Sequence, residues 1–107
     1  MSESINDLFT VHPGEYLKDE LEELNLSQNR LALEIRVPAA RISEIIKGKR
    51  GITADTACRL ARYFGTSVDL WLNLQAAYDK RGAMRKLKAE GELEKIHPRI
   101  SPVPARA

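Results

Sequence analysis

The side chains best suited to chemistry lie in residues 36–50. This stretch holds five basic residues and one acid, which gives it a net charge of +4. Within it Arg41, Ser43 and Glu44 carry a guanidinium, a hydroxyl and a carboxylate, the groups that pair with guanine, with several base edges and with cytosine. For Glu44 the competing interpretation is an ion pair with Arg41 or Lys47 in the same helix. The pattern favours contact with nucleic acid.

Charge is also segregated elsewhere in the chain. Residues 15–23 hold five acids and one base, a balance of −4, whereas residues 80–99 hold seven bases and three acids, a balance of +4. Such segments either recognise charged partners or are solvated helix faces, and both interpretations stay open. If a basic protein partner exists, the acidic segment is one candidate contact surface, and the two chain ends are the others.

Composition excludes several classes of protein. The chain has 107 residues, enough for about one domain, with a formal charge of +2. We expect no disulfide, metal or cofactor, because Cys58 is the single cysteine and His12 and His97 stand far apart without ligand-type neighbours. Neither a nucleophile with a plausible base nor a phosphate-binding glycine loop is present, so we expect no enzyme. Without an apolar run or secretory signal, we expect a soluble, cytoplasmic protein with no membrane partner.

Helix signals recur every 8 to 15 residues from Pro13 onward, and nothing alternates with period two. The fold is therefore predicted to be all-α, with five helices. Helix 1 starts at Pro13 with His12 helping to cap it, and ends near Asn25. The other helices are predicted from a cap at Ser27 to residue 36, from Pro38 to the glycines at 48 and 51, from a cap at Thr53 to Gly65, and from a cap at Ser67 to roughly residue 79.

Helices 2 and 3 have the spacing of a helix-turn-helix. Ala32 lets the helices approach, Val37 fills the corner, and Ile42 and Ile45 anchor helix 3 from behind. The outer face of helix 3 is predicted to enter a DNA major groove, and it comprises Pro38, Ala39, Ala40, Arg41, Ser43, Glu44 and Lys47. Phosphate contacts are expected from Gln28, Asn29, Arg36, Lys47, Lys49 and Arg50. The alternative is a pair of ordinary bundle helices with solvated charges.

Helix 5 is apolar over most of its circumference, which indicates deep burial or a surface shared with a second molecule. In so small a chain we favour a surface that is shared with a second molecule. The predicted homodimer interface comprises Leu70, Trp71, Leu74, Ala77 and Tyr78. Cys58, on helix 4, is expected to be buried. The chain is thus predicted to have a flexible N-terminal arm over residues 1–11, a helical domain over residues 12–82, and a basic C-terminal extension over residues 83–107. Within the extension, residues 84–96 are either a marginal helix, a tail that orders on binding, or a disordered segment.

Four consecutive runs stand out: HPGEYL at 12–17, LSQNRLA at 26–32, RISEIIKGKRGIT at 41–53 and ACRLARYFGTS at 57–67. Together they resemble the phage-repressor-like (Xre) helix-turn-helix family, and most closely its HigA-type antitoxin branch, which includes addiction-module antidotes and virulence-associated protein I. The resemblance covers residues 12 to about 81. One departure is Arg36, which stands where the wider family commonly has glycine.

The resemblance implies a dimeric repressor that binds double-stranded operator DNA and represses its own operon. It also implies a cognate toxin of the HigB kind, a small RelE-like nuclease that cleaves mRNA on the ribosome, which the repressor would neutralise as an antitoxin. A solitary regulator of the same fold without a toxin is the alternative.

Overall fold

The computed structural model describes residues 11–99, and within them every regular element is helical. The five α-helices are α1 (Pro13–Glu23), α2 (Gln28–Ile35), α3 (Ala39–Ile46), α4 (Ala54–Phe64) and α5 (Val68–Ala89), followed by a 3-10 turn (Leu93–Lys95). The all-α, five-helix prediction is confirmed. None of these helices combines the length and the apolar character needed to cross a membrane.

The predicted capping residues start the helices. The side chains of Ser27, Thr53 and Ser67 each accept a hydrogen bond from the backbone N–H three residues later, which satisfies a donor that the first turn leaves free. At α1 the cap is His12, whose Nδ1 accepts from the N–H of Gly14 at 2.8 Å. Pro38 precedes α3 instead of beginning it, because its extended backbone (ψ 144°) lies outside the helical region.

The helices enclose one core of aliphatic side chains and a tryptophan. α4 packs on α5, α2 on α3, and α1 on both α3 and α5. The buried apolar residues come from all five helices and from the loop before α4: Leu17, Leu21, Leu31, Ala32, Ile35, Ile42, Ile45, Ile52, Ala57, Leu60, Ala61, Trp71 and Leu74. The core therefore holds the helix pair α2 and α3 from behind.

The last helix extends into residues 84–89, part of the segment for which the sequence left both helix and disorder open. α5 continues through Gly82 as far as Ala89, so the boundary predicted between residues 82 and 83 falls inside a helix. A glycine in a helix costs only about 1 kcal/mol relative to alanine, which the flanking good helix formers offset. The predicted N-terminal arm, apart from residue 11, and residues 100–107 of the predicted extension lie outside the described residues.

Candidate nucleic-acid interface

The pair α2 and α3 has the close crossing that the sequence predicted. Ala32 is buried at the crossing, Val37 packs half-buried against the core, and Ile42 and Ile45 are fully buried behind α3. Arg36, Val37 and Pro38 form the whole connection between the two helices. Short helices joined in this way form a helix-turn-helix, in which the second helix is the one presented to DNA.

The outer side of α3 carries the residues predicted to contact bases. Pro38, Ala39 and Ala40 are exposed where α3 begins, and Ser43 is half-buried one turn later. These residues lie opposite the buried isoleucines of the same helix. The start of α3 therefore presents small side chains to solvent, so its backbone can closely approach another molecule.

The guanidinium of Arg41 has a partner that the sequence did not indicate. Its Nη1 donates to Asp55 Oδ2 at 2.9 Å and to Thr56 Oγ1 at 3.5 Å, both at the beginning of α4. Arg41 was predicted to read a base, and that role stays a prediction. A guanidinium has five donor hydrogens, so these contacts leave others for a ligand.

Asp55 also joins α4 to the turn of the motif. Its Oδ2 accepts from Arg59 Nε at 2.9 Å, and Arg59 Nη1 donates to the carbonyl oxygens of Ile35 at 2.9 Å and Arg36 at 3.4 Å. The hydrogen bonds from Arg59 and Arg41 hold the pKa of Asp55 below its ordinary value. Sequence reasoning missed Arg59. The spacing of four residues between Asp55 and Arg59 signals their pairing, but not the contact with the turn.

Arg36 adopts the left-handed conformation that glycine usually takes, with φ 66° and ψ 47°. The N–H of the next residue, Val37, donates to the carbonyl of Ala32 at 3.0 Å, which closes the end of α2. This backbone costs a non-glycine residue roughly 1 kcal/mol or more. The hydrogen bonds from Arg59 to the turn carbonyls help to hold it in place.

The carboxylate of Glu44 is paired, but with a residue outside its own helix. Its Oε1 accepts from Arg50 Nε at 2.9 Å and Arg50 Nη2 at 2.8 Å. The alternative of a pair with Arg41 or Lys47 inside the helix is wrong, because Arg41 bonds to Asp55 on α4 and Glu44 bonds to Arg50 instead, while a contact with cytosine stays a prediction. The same ion pair holds Arg50, a predicted phosphate ligand, beside α3.

The basic loop after α3, residues 47–51, is also held in place by a side chain of α5. Gln75 Oε1 accepts from the backbone N–H of Ile52 at 2.7 Å, and Gln75 Nε2 donates to Asp79 at 3.0 Å. A Cβ at Gly51 would come within 3.0 Å of the Gln75 side chain, so the loop passes close to α5. Gln75 was missed because a polar residue on a mostly apolar helix gives no sign of its partner.

The flanking residues predicted to contact phosphate are all exposed. Gln28 and Asn29 open α2, and Lys47 and Lys49 follow α3. Among the described residues neither lysine forms an ion pair, so their ammonium groups are available to an anion. The structure thus brings exposed basic side chains to the C-terminal end of α3, whereas the residues at its start are small.

The dimer interface predicted on α5 is partly wrong. Trp71 and Leu74 are fully buried within the protomer, because α5 lies against α1 and α4. Trp71 Nε1 donates to Thr66 Oγ1 at 2.8 Å, and the indole packs edge-on to Tyr16. Of the other predicted interface residues, Leu70 and Ala77 are half-buried, and Tyr78 is 41% exposed.

Cys58 was expected to be buried, and this too is wrong. Its side chain is exposed beside Glu34 and Tyr63. The core face of α4 is formed by Ala57, Leu60 and Ala61, and Cys58 lies one position outside that stripe. Helical periodicity left the side of α4 on which Cys58 lies ambiguous, and the mildly apolar character of cysteine led to the wrong prediction of burial.

Comparison with known proteins agrees with this arrangement. A helix-turn-helix family model matches residues 17–71. The chain is 49% identical over 79 residues to virulence-associated protein I of Dichelobacter nodosus, an alignment that spans 73% of each protein. Its fold is similar to an addiction module antidote protein of a HigA family from Coxiella burnetii, with a TM-score of 0.76 and 44% identity over 88% of this chain and 98% of that one.

It is also similar to the Pseudomonas aeruginosa antitoxin HigA in a structure with the higBA promoter. There the TM-score is 0.78 and the identity is 41%, over 85% of this chain and 99% of that one. The residues matched by the family model include α2, the turn and α3. The chain therefore belongs to the Xre-type helix-turn-helix family and is similar to the HigA antitoxins within it.

Proposed function

We propose that this chain is a sequence-specific DNA-binding repressor that acts as the antitoxin of a HigB/HigA-type toxin–antitoxin system. The observation that carries the proposal is the exposed start of α3, where Ala39 and Ala40 stand beside Arg41 and Ser43. Small residues allow a helix to enter the major groove, and their methyl groups can contact thymine methyl groups. Arg41 is proposed to read guanine with the donors that Asp55 leaves free.

Affinity is proposed to come from phosphate contacts on both sides of α3. Gln28 and Asn29 supply the polar start of α2, and Lys47 and Lys49 supply charge beyond the end of α3. Arg36 is exposed in the turn between them. Contacts of this kind fix the protein on the duplex and make binding salt-dependent, since each one releases counterions from DNA. They need no cofactor, and the proposed function involves no catalysis.

The repressor is proposed to act in the cytoplasm as a homodimer. Two copies of α3 about 34 Å apart would reach successive major grooves on one side of a duplex. Leu70, Ala77 and Tyr78 remain as candidates for the interface, since each retains exposed surface on α5. A twofold arrangement of this kind requires an operator with two half-sites.

The proposed toxin contact is the acidic face of α1. Asp19, Glu22 and Glu23 are exposed, and Glu20 is half-buried beside them. A protein that cleaves RNA needs a basic surface for its substrate, and such a surface is complementary to these carboxylates. Support for a toxin partner comes from the similarity to HigA antitoxins. A solitary regulator of the same fold is the second candidate function.

Operator binding is tested by selecting a duplex from a randomised library with the wild-type chain. We expect enrichment of a sequence with two half-sites, bound roughly a thousandfold or more tighter than a scrambled duplex at the same salt concentration. Affinity should fall steeply as salt is raised. Equal binding to both duplexes at all salt concentrations would contradict sequence-specific repression.

Toxin binding is tested with the product of the neighbouring gene, if that gene encodes a small basic protein. Two chains are compared with the wild type: one with Glu20, Glu22 and Glu23 changed to Gln, and one truncated after Gly82. We expect slower association for the glutamine variant only, with a difference that shrinks as salt rises. Loss of binding in the truncated chain alone would place the contact in the C-terminal segment. Absence of a neighbouring toxin gene would favour the solitary regulator.

A further inference from the structure

One carboxylate oxygen connects three parts of the proposed DNA-binding unit. Asp55 Oδ2 accepts from Arg41 on α3 and from Arg59 on α4, both at 2.9 Å. Arg59 in turn donates to the carbonyl oxygens of Ile35 and Arg36, at the end of α2 and in the turn. A single side chain at the start of α4 thus links α3 to the turn that precedes it.

The two ion pairs of Asp55 contribute little to the stability of the fold, apart from what Arg59 adds by its hydrogen bond to the carbonyl of Ile35. The side chains are 57% exposed at Asp55, 27% at Arg41 and 39% at Arg59, so water competes for every contact between them. Exposed ion pairs of this kind have a small effect on unfolding. The stability of the folded chain therefore does not explain why Arg41 is held against Asp55, and another explanation is needed.

The position of the network suggests that explanation. Arg41 Nη1 faces Asp55, and among the described residues neither Nε nor Nη2 of Arg41 has a hydrogen-bond partner. A guanidinium anchored through one nitrogen loses rotational freedom before DNA arrives, and its remaining donors keep a fixed direction. Arg59 meanwhile restrains the left-handed turn, on which the angle between α2 and α3 depends.

We propose that Asp55 is a positioning residue for DNA recognition, which orients the guanidinium of Arg41 and, through Arg59, fixes the turn before α3. This inference rests on the proposed function, because it assigns Asp55 a role only if α3 reads DNA. Asp55 itself makes no contact with bases in this scheme. Its negative charge is paired with the two arginines.

The test is the selectivity of an Asp55→Asn variant, measured as the ratio of its affinities for the duplex selected by the wild type and for a scrambled duplex. We expect this ratio to fall about tenfold. Affinity for the scrambled duplex should stay the same or rise, since a negative charge has been removed. Asp69→Asn is the matched control, because Asp69 occupies the same position in the first turn of α5 and forms no ion pair among the described residues.

A double-mutant cycle separates positioning from a general structural role. In an Arg41→Ala background, Asp55→Asn should lower selectivity much less than in the wild type, because the group that it orients is gone. Asp55→Glu, which keeps the charge, should restore part of the ratio. The proposal is overturned if Asp55→Asn matches Asp69→Asn, or if the losses from Asp55→Asn and Arg41→Ala are fully additive. A wild-type chain that selects no duplex would overturn the proposed function as well.

Discussion

Gly14 lies directly against the carbonyl oxygen of Ile45, so the start of α1 touches the backbone of α3. A Cβ placed on Gly14 would overlap this oxygen, and neither backbone can move without shifting a whole helix. The contact fixes α3 from its buried side. A buried residue that makes none of the proposed DNA contacts therefore controls where α3 lies.

Gly14→Ala is expected to lower the free energy of unfolding by about 1 to 3 kcal/mol, as overpacked core variants do. Gly82→Ala is the matched control. Gly82 lies in α5 with open space around it, so added helix propensity should leave stability unchanged or raise it by up to about 1 kcal/mol. Urea unfolding of both variants measures the difference. Equal stability of the two variants would show that α1 can move away from α3 with little loss of unfolding free energy.

Arg36→Gly should have opposite effects on stability and on DNA binding. Glycine relieves the left-handed strain at φ 66°, but it also makes the unfolded chain more flexible, so we expect a gain in unfolding free energy below about 1 kcal/mol. Loss of the exposed guanidinium should weaken binding to all duplexes and lower the salt slope by about 0.9. Arg36→Lys should retain the slope. Unchanged binding by Arg36→Gly would remove Arg36 from the phosphate contacts.

The cap at His12 should make stability depend on pH. Burial lowers the pKa of His12, although the charges of Glu15 and Asp79 act to raise it, and only the neutral ring can accept the Gly14 N–H through Nδ1. Below about pH 6.5 the unfolded chain binds this proton more readily than the folded one. The stabilisation is thus present above that pH and is lost as the pH falls through the lower folded pKa.

The measurement is the free energy of unfolding between about pH 5 and 7.5 for the wild type and for His12→Asn, which retains a capping side chain without titrating. We expect the wild type to lose stability on acidification relative to this variant. His97→Asn, at an exposed position, should follow the wild type. Parallel curves for the wild type and His12→Asn would contradict the assigned cap.

Tyr78→Glu is expected to yield a folded monomer. Tyr78 is 41% exposed on α5, although its ring packs perpendicular to that of His12, and a charge there would be costly to bury between two protomers. Leu74→Glu would unfold the chain, because Leu74 is fully buried. Sedimentation and circular dichroism compare Tyr78→Glu with Asn73→Glu, which changes an exposed residue on another side of α5. If the Tyr78→Glu variant is still a dimer, the side of α5 that carries Tyr78 is not the dimer interface.

Much of the fold follows from local signals in the sequence. Ser27, Thr53 and Ser67 were predicted to cap helices because a hydroxyl before an apolar stripe satisfies backbone donors within three residues. The turn between α2 and α3 was likewise indicated by Pro38, which disfavours helix in the residue before it. These effects act over a few residues, so one sequence is enough to find them.

Other errors, beyond the local ones at Cys58 and Pro38, concern contacts between distant parts of the chain. Trp71 and Leu74 were placed at a dimer interface because periodicity shows that a helix has apolar faces, but not which face meets the core. Arg41 and Asp55 lie fourteen positions apart, and their contact exists only once α3 packs beside α4. Which charged side chains pair at such separations depends on tertiary packing, and the spacing of residues in the sequence does not predict it.

The proposed division of roles has α3 reading base sequence while the residues that flank it bind phosphate. It is tested by measuring the affinities of Arg41→Ala and Lys49→Ala for the selected duplex and for a scrambled one across a range of salt concentrations. We predict that Arg41→Ala loses about 1 to 3 kcal/mol on the selected duplex and relaxes preference at one position, whereas Lys49→Ala weakens both duplexes alike and lowers the salt slope by about 0.9. Equal losses on both duplexes for Arg41→Ala would contradict the claim.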